Sequence, residues 1–180
     1  MCRFLVPDGV FPDYRAVTPD LLAARGLRGI VFDIDNTLAP YEVAAPDEAL
    51  CAYFAALRAA GIRMAFVSNN KEARVALFNR DLALPAYPCA HKPRRGALRR
   101  ALAEMGLSPG ECALLGDQIF TDVWAARRMG MTALLVPPIR DKRDPLTRLK
   151  RLLEKPILRA YARRAAKQTK ELEDSHDDDT

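Results

Sequence analysis

The feature that most constrains this chain is the stretch Gly29-Ile30-Val31-Phe32-Asp33-Ile34-Asp35-Asn36-Thr37-Leu38. A short apolar run bounded by turn-forming residues reads as a buried strand. Such a strand does not hold carboxylates unless they are paired, protonated or bound to a metal. Asp33 and Asp35 are therefore expected just past its C-terminal end, where open α/β sheets bind their ligands.

The rest of the chain repeats that unit. Apolar runs predict further strands over residues 62–67, 86–90, 112–115 and 132–136. Helical spacing predicts helices over residues 18–26, 47–60, 71–78, 94–105 and 121–129. Thr18 reads as an N-cap with Pro19 at the first helical position, and Gly61, Gly106 and Gly130 close three of the helices. The alternation predicts an α/β, Rossmann-like fold: a parallel five-stranded sheet with helices on both faces. Residues 1–17 read as an irregular lead-in, and residues 1–139 as one core unit.

Residues 140–170 break the pattern. Leu146, Leu149, Leu152, Leu153, Ile157 and Tyr161 recur at helical spacing among arginines and lysines. They predict a basic amphipathic helix over about residues 144–167, kinked or split at Pro156. Twelve Lys/Arg against three acids give residues 140–170 a balance of +9. Six acids give residues 171–180 a balance of −6, and that tail is expected to be disordered. The total of +5 then leaves only +2 on residues 1–139, so any contact with a polyanion or a membrane is expected at the C-terminal segment. No apolar run approaches a membrane span, and Pro7 and Asp8 interrupt the N-terminus before a signal-peptide core can form. The expectation is a cytoplasmic protein with reduced thiols. Cys2, Cys51, Cys89 and Cys112 form no CxxC pair and read as buried structural thiols, and with only His91 and His176 in the chain a histidine-based metal site is not expected.

In a parallel sheet the C-terminal strand ends share one rim. The residues following the first four predicted strands are Asp33 and Asp35, Ser68 and Asn69, Lys92, and Asp117 with Asp122. Several clustered carboxylates repel unless a divalent cation is present. An oxygen-rich, histidine-poor set suits Mg²⁺. Together with a Lys, a Ser and backbone N–H groups, it suits a phosphoryl group. Singly, Ser-Asn-Asn is a common turn, Lys-Pro a surface dipeptide and Gly-Asp a turn. The four in order, each at a strand end, carry the meaning. Asn69 reads equally as a substrate contact or as a cap of the following helix.

Asp33-Ile34-Asp35-Asn36-Thr37 resembles the DxDxT signature of the haloacid dehalogenase superfamily. Ser68 at a strand end, Lys92 before Pro93, and the GDQIFTD segment of residues 116–122 resemble its other three signatures. The resemblance covers residues 29–137. The TPDLL lead-in, Ser68-Asn69-Asn70, His91-Lys92-Pro93 and the basic C-terminal segment resemble the YqeG-type phosphatases of subfamily IIIA, whose eukaryotic relatives are phosphatidylglycerophosphate phosphatases. The resemblance implies an aspartyl-phosphate mechanism with Asp33 as nucleophile and Asp35 as general acid and base. It implies that Thr37 orders the loop, that Ser68 and Lys92 bind the phosphoryl group, and that Mg²⁺ is held by Asp33, Asp117 and the backbone carbonyl of Asp35. Asp122 would orient Lys92 or a metal-bound water.

Neither the interval from Thr37 to Ser68 nor that from Ser68 to Lys92 has room for a cap domain, so a capless, open site is expected. An open site beside a basic helix fits a phosphorylated anionic lipid, with peripheral contact at the inner face of a membrane through residues 140–170; the same spacing fits equally a helix whose leucines pack on the body and whose basic face is solvated. The competing expectations are a soluble phosphoester such as a nucleotide or sugar phosphate, and a non-enzymatic module bound to RNA or the ribosome. Tyr161 is the segment's single aromatic residue, which disfavours recognition of single-stranded nucleic acid. A receiver-type phosphoacceptor domain would also cluster acids with a Lys, but would not need Asp35.

Overall fold

The computed structural model describes residues 3–140 and 152–163. Among them the strands are β1 (Gly9–Val10), β2 (Gly29–Phe32), β3 (Arg63–Val67), β4 (Ala86–Tyr87), β5 (Cys112–Gly116) and β6 (Thr132–Leu135). The helices are α1 (Pro19–Ala24), α2 (Glu48–Ala59), α3 (Glu72–Asn79), α4 (Gly96–Met105), α5 (Trp124–Met129) and α6, residues 152–163. The strands form one sheet in the order β1-β6-β5-β2-β3-β4, every pair parallel.

The sheet has one strand more than the predicted five. β1 falls in the lead-in read as irregular, and it is only two residues long, too short to carry a period. Tertiary contacts hold it at the sheet edge: Asp8 N–H donates to the Ala133 carbonyl and Asp8 Oδ2 accepts the Ala133 N–H, both at 2.8 Å. The predicted strand over residues 86–90 is paired only at Ala86 and Tyr87.

β2 is buried on both faces. Ile30 and Phe32 face one hydrophobic cluster with Met64, Phe66, Leu115 and the inner residues of α1, α2 and α3. Val31 faces the other, with Ala65, Leu114 and the inner residues of α4 and α5. Phe32, Phe54, Phe66 and Phe78 run through the first cluster as successive edge-to-face pairs 5.2–6.0 Å apart. The chain leaves β2 toward β3 on one side and returns to β5 on the other, which makes the crevice between β2 and β5 the topological switch point of the sheet.

Two further expectations are corrected. The helix expected from residue 121 begins as a π-helical turn, Ile119–Val123, before α5. Cys51 and Cys89 are exposed, while Cys112 is buried, and burial pushes its thiol up to about 12. The helical run of residues 152–163 continues through Pro156. The other residues of the predicted C-terminal helix, and the acidic tail, lie outside the described residues. Among the described residues no helix is long and apolar enough to cross a membrane.

Candidate active site

β2 ends at Phe32 and the chain turns at once. The Ile34 carbonyl accepts the N–H groups of Thr37, Leu38 and Ala39 at 3.0–3.3 Å, and Asn36 adopts φ +65°. Asn tolerates this left-handed conformation better than most residues, because its short polar side chain bonds locally. The turn places Asp33 and Asp35 on the lining of one cleft of about 220 Å³, with Ser68, Asn69 and Lys92.

Asp33 and Lys92 form the buried centre. Lys92 Nζ donates to Asp33 Oδ1 at 2.7 Å and lies 2.6 Å from Asp122 Oδ1. Thr37 Oγ1 makes a long contact to Asp33 Oδ2 at 3.5 Å. The other Asp122 oxygen accepts the Gln118 N–H at 3.1 Å and the Thr121 hydroxyl at 3.2 Å. Asp117 is buried beside them, and one oxygen from each of Asp33, Asp117 and Asp122 falls within 4.8 Å of the others. Burial is the main cause that raises the Asp33 pKa above the usual carboxylate range; Lys92 opposes it, and Asp122 and Asp117 add to it. Burial disfavours the Lys92 ammonium, but Asp122 and Asp33 outweigh it and hold the amine charged well above the ordinary lysine range.

Three buried carboxylates around one ammonium leave negative charge that a hard cation would neutralise. The set is all oxygen, and so fits Mg²⁺. Asp33, Asp117 and Asp122 can each offer one oxygen to such a cation.

Asp35 has different surroundings. Asn70 Nδ2 donates to Oδ2 at 2.8 Å, and Arg74 brackets Oδ1 with Nε at 3.2 Å and Nη2 at 3.1 Å. The Arg74 guanidinium lies 5.1 Å from the centroid of the Phe78 ring. Ser68 is buried, and its Oγ accepts the Asn70 N–H at 3.1 Å. Asn69 braces the Lys92 backbone from both sides: its Oδ1 accepts the Lys92 N–H at 2.6 Å and its Nδ2 donates to the Lys92 carbonyl at 3.4 Å. The helix-capping alternative for Asn69 does not form, since the N-cap of α3 is Lys71.

Asp33, Asp35, Ser68, Asn69 and Lys92 thus meet on one lining, with Thr37, Asp117 and Asp122 buried near Asp33 or Lys92. Sequence reasoning passed over Arg74, Asn70 as a partner of Asp35, and Tyr41, which also lines the cleft. The four-residue spacing of Asn70 and Arg74 was the available signal for the pair. Tyr41 lies in an aperiodic loop and offered none.

A model of the HAD-hydrolase-like family matches residues 89–151, the part that carries Lys92, Asp117 and Asp122. The protein named "Probable phosphatase YqeG" of Bacillus subtilis (strain 168) is 35% identical over 162 residues, covering 90% of this chain and 94% of that protein. The chloroplastic/mitochondrial phosphatidylglycerophosphate phosphatase of Arabidopsis thaliana is 25% identical over 92% of this chain, and the chloroplastic one of Chlamydomonas reinhardtii 30% identical over 78%. The chain spans about half the length of those two relatives, 50% and 55%. CbbY of Rhodobacter sphaeroides, solved in complex with phosphate, shares the fold with a TM-score of 0.52 at 14% identity, over 66% of this chain and 89% of that one. An uncharacterized Listeria monocytogenes protein gives the same score and identity over 66% of this chain and 85% of its own. Fold and family together define a phosphatase of the haloacid dehalogenase type. Within that class, the chain belongs to the YqeG family.

Proposed function

We propose that this phosphatase hydrolyses a phosphomonoester through an aspartyl-phosphate on Asp33, with phosphatidylglycerophosphate as its substrate. The carrying observation is the buried bridge of Lys92 Nζ between Asp33 and Asp122 at the C-terminal ends of β2 and β5. It aligns a carboxylate nucleophile with a fixed cation at the switch point of the sheet.

An Asp33 oxygen attacks phosphorus, the P–O ester bond breaks, and Asp35 gives its proton to the departing alcohol oxygen. Water then loses a proton to Asp35 and attacks the same phosphorus. The bond from phosphorus to Asp33 breaks, and inorganic phosphate leaves. Both Asp35 oxygens are engaged here, so proton transfer requires one of them to exchange Asn70 or Arg74 for the ester oxygen. Ser68 and Lys92 bind the phosphoryl oxygens, Thr37 orders the Asp33 loop, Asn69 fixes the Lys92 backbone and Asp122 holds the Lys92 ammonium. Mg²⁺, held by Asp33, Asp117 and the Asp35 carbonyl, would supply charge neutralisation to the phosphoryl group.

Two observations support the lipid. Two named relatives are phosphatidylglycerophosphate phosphatases. Residues 37–68 hold only a loop, α2 and β3, and residues 68–92 only α3 and β4, so neither interval inserts a cap. Purified protein should release phosphate from phosphatidylglycerophosphate in mixed micelles, with Mg²⁺ required and Asp33→Asn inactive. Release from sugar phosphates or nucleotides alone would overturn the lipid and retain the chemistry. Full activity of Asp33→Asn would overturn the mechanism.

A further inference from the structure

We infer that the face formed by residues 93–95 and α5 is a docking surface for an anionic bilayer, placed directly beside the catalytic lysine. The inference rests on the lipid-phosphate reading of the site. It adds a contact on the body of the protein to the one expected at residues 140–170, most of which lie outside the described residues.

The surface is traced by contacts. Arg128 Nη1 donates to the Pro93 carbonyl at 2.9 Å, one residue from Lys92. Arg95 Nη1 reaches the Arg128 carbonyl at 3.5 Å. The Arg128 guanidinium lies 5.8 Å from the centroid of the half-exposed Trp124 ring, and Trp124 follows the Ile119–Val123 turn that carries Asp122. Arg94 is exposed in the same loop, and Arg99 lies one turn into α4. Among the described residues no carboxylate stands within ion-pair distance of Arg94, Arg95, Arg99 or Arg128. Exposed arginines without a carboxylate partner, two of them anchored on backbone carbonyls, make a prearranged anion surface.

Apolar side chains favour a bilayer over a nucleic acid. Besides Trp124, Phe4 is 62% exposed on a turn packed against α5. Leu152 and Leu153, 61% and 53% exposed, belong to α6, which grips the same Ile119–Val123 turn through Glu154. Exposed Phe and Leu gain nothing from a phosphate backbone but gain burial at a headgroup boundary, where Trp and Arg also reside. The Trp124 face nearest Arg128 is occupied, which leaves it poorly placed for base stacking.

Trp124 is the single tryptophan of the chain, so its emission reports on this face alone. Full-length protein is titrated with vesicles of phosphatidylcholine containing about 30% phosphatidylglycerol, and with pure phosphatidylcholine vesicles. The expected result is a blue shift and co-sedimentation with the anionic vesicles only. The variant Arg94→Gln/Arg95→Gln/Arg128→Gln should bind them about a hundredfold more weakly, since each basic residue contributes roughly a fivefold share. It should keep its rate on a soluble chromogenic phosphomonoester, which shows that it folds. No shift with anionic vesicles, undiminished binding by the variant, or a shift produced by polyuridylate but not by vesicles would each overturn the inference. Hydrolysis of the lipid in detergent micelles is measured separately, so a failed substrate and a failed surface give different results.

Discussion

Lys92 Nζ lies within 2.7 Å of two buried carboxylates, and the side chains of Lys92 and Asp122 are almost wholly enclosed. Removing one partner of such a buried set leaves uncompensated charge, which costs about 3–5 kcal/mol. Lys92→Met should therefore lower unfolding stability by that order in urea titration as well as abolish turnover. Lys92→Met/Asp122→Asn should be more stable than Lys92→Met alone by at least ~1 kcal/mol, because the second change removes one of the stranded charges; equal stability would show that the bridge is not under electrostatic load. Arg74 acts through Asp35, which it holds by two nitrogens. Arg74→Gln should reduce kcat by about tenfold to a hundredfold at nearly constant KM, because a disordered proton donor weakens the chemical step more than binding. Arg74→Lys should recover only part of the rate, since an ammonium does not bracket a carboxylate oxygen with two fixed donors. A rise in KM with kcat retained would instead make Arg74 a substrate contact.

At the level of elements, the Ile119–Val123 turn joins the Lys92 ion pair to α6. The Gln118 carbonyl accepts the N–H groups of both Asp122 and Val123, which widens the turn and seats Asp122 against Gly116. A Cβ at position 116 would overlap the Asp122 carboxyl, so Gly116→Ala should displace Asp122, cost about 1–3 kcal/mol and loosen Lys92, seen as a loss of both stability and turnover. Glu154 is 2% exposed and accepts the Ile119 N–H at 2.8 Å. Glu154→Ala should speed hydrogen exchange at the Ile119 amide while leaving exchange in β2 unchanged. Unchanged exchange at Ile119 would mean that α6 does not support the turn. The elements that were legible in the sequence were those with a period and clear punctuation, such as β2 before its two acids and α4 before Gly106. The π-helical turn was not, because its extra residue is set by where Asp122 must sit and leaves no mark on hydrophobic spacing. β1 is held by Asp8 and the edge of β6, partners more than a hundred residues away.

Across the whole molecule, the sequence placed the acids, the serine and the lysine on one rim because strand order is irrelevant to that inference: every parallel strand ends on the same side. It said little about Arg74 and Trp124, which matter through packing between helices rather than through their place along a strand. The rim also ties the site to global stability. Asp33 lies after β2 and Asp117 after β5, the two strands at the centre of the sheet, so a cation held by both carboxylates ties together segments 84 residues apart and binds only the folded chain. Ligand that binds the native state alone stabilises it by about 2.7 kcal/mol at a hundred times its Kd. For a chain of this length, each kcal/mol raises Tm by roughly 2–4 °C. Saturating MgCl₂ should therefore raise the Tm of the wild-type protein by about 5–10 °C in thermal melts against EDTA. Asp117→Asn should abolish that rise. Asp122→Asn, which strips the lysine anchor and leaves Asp33 and Asp117 in place, should start from a lower Tm and still show it. An equal Mg²⁺ shift in Asp117→Asn and the wild type would remove Asp117 from the metal site and, with it, the assignment of the β2–β5 crevice as the place where metal and phosphate meet.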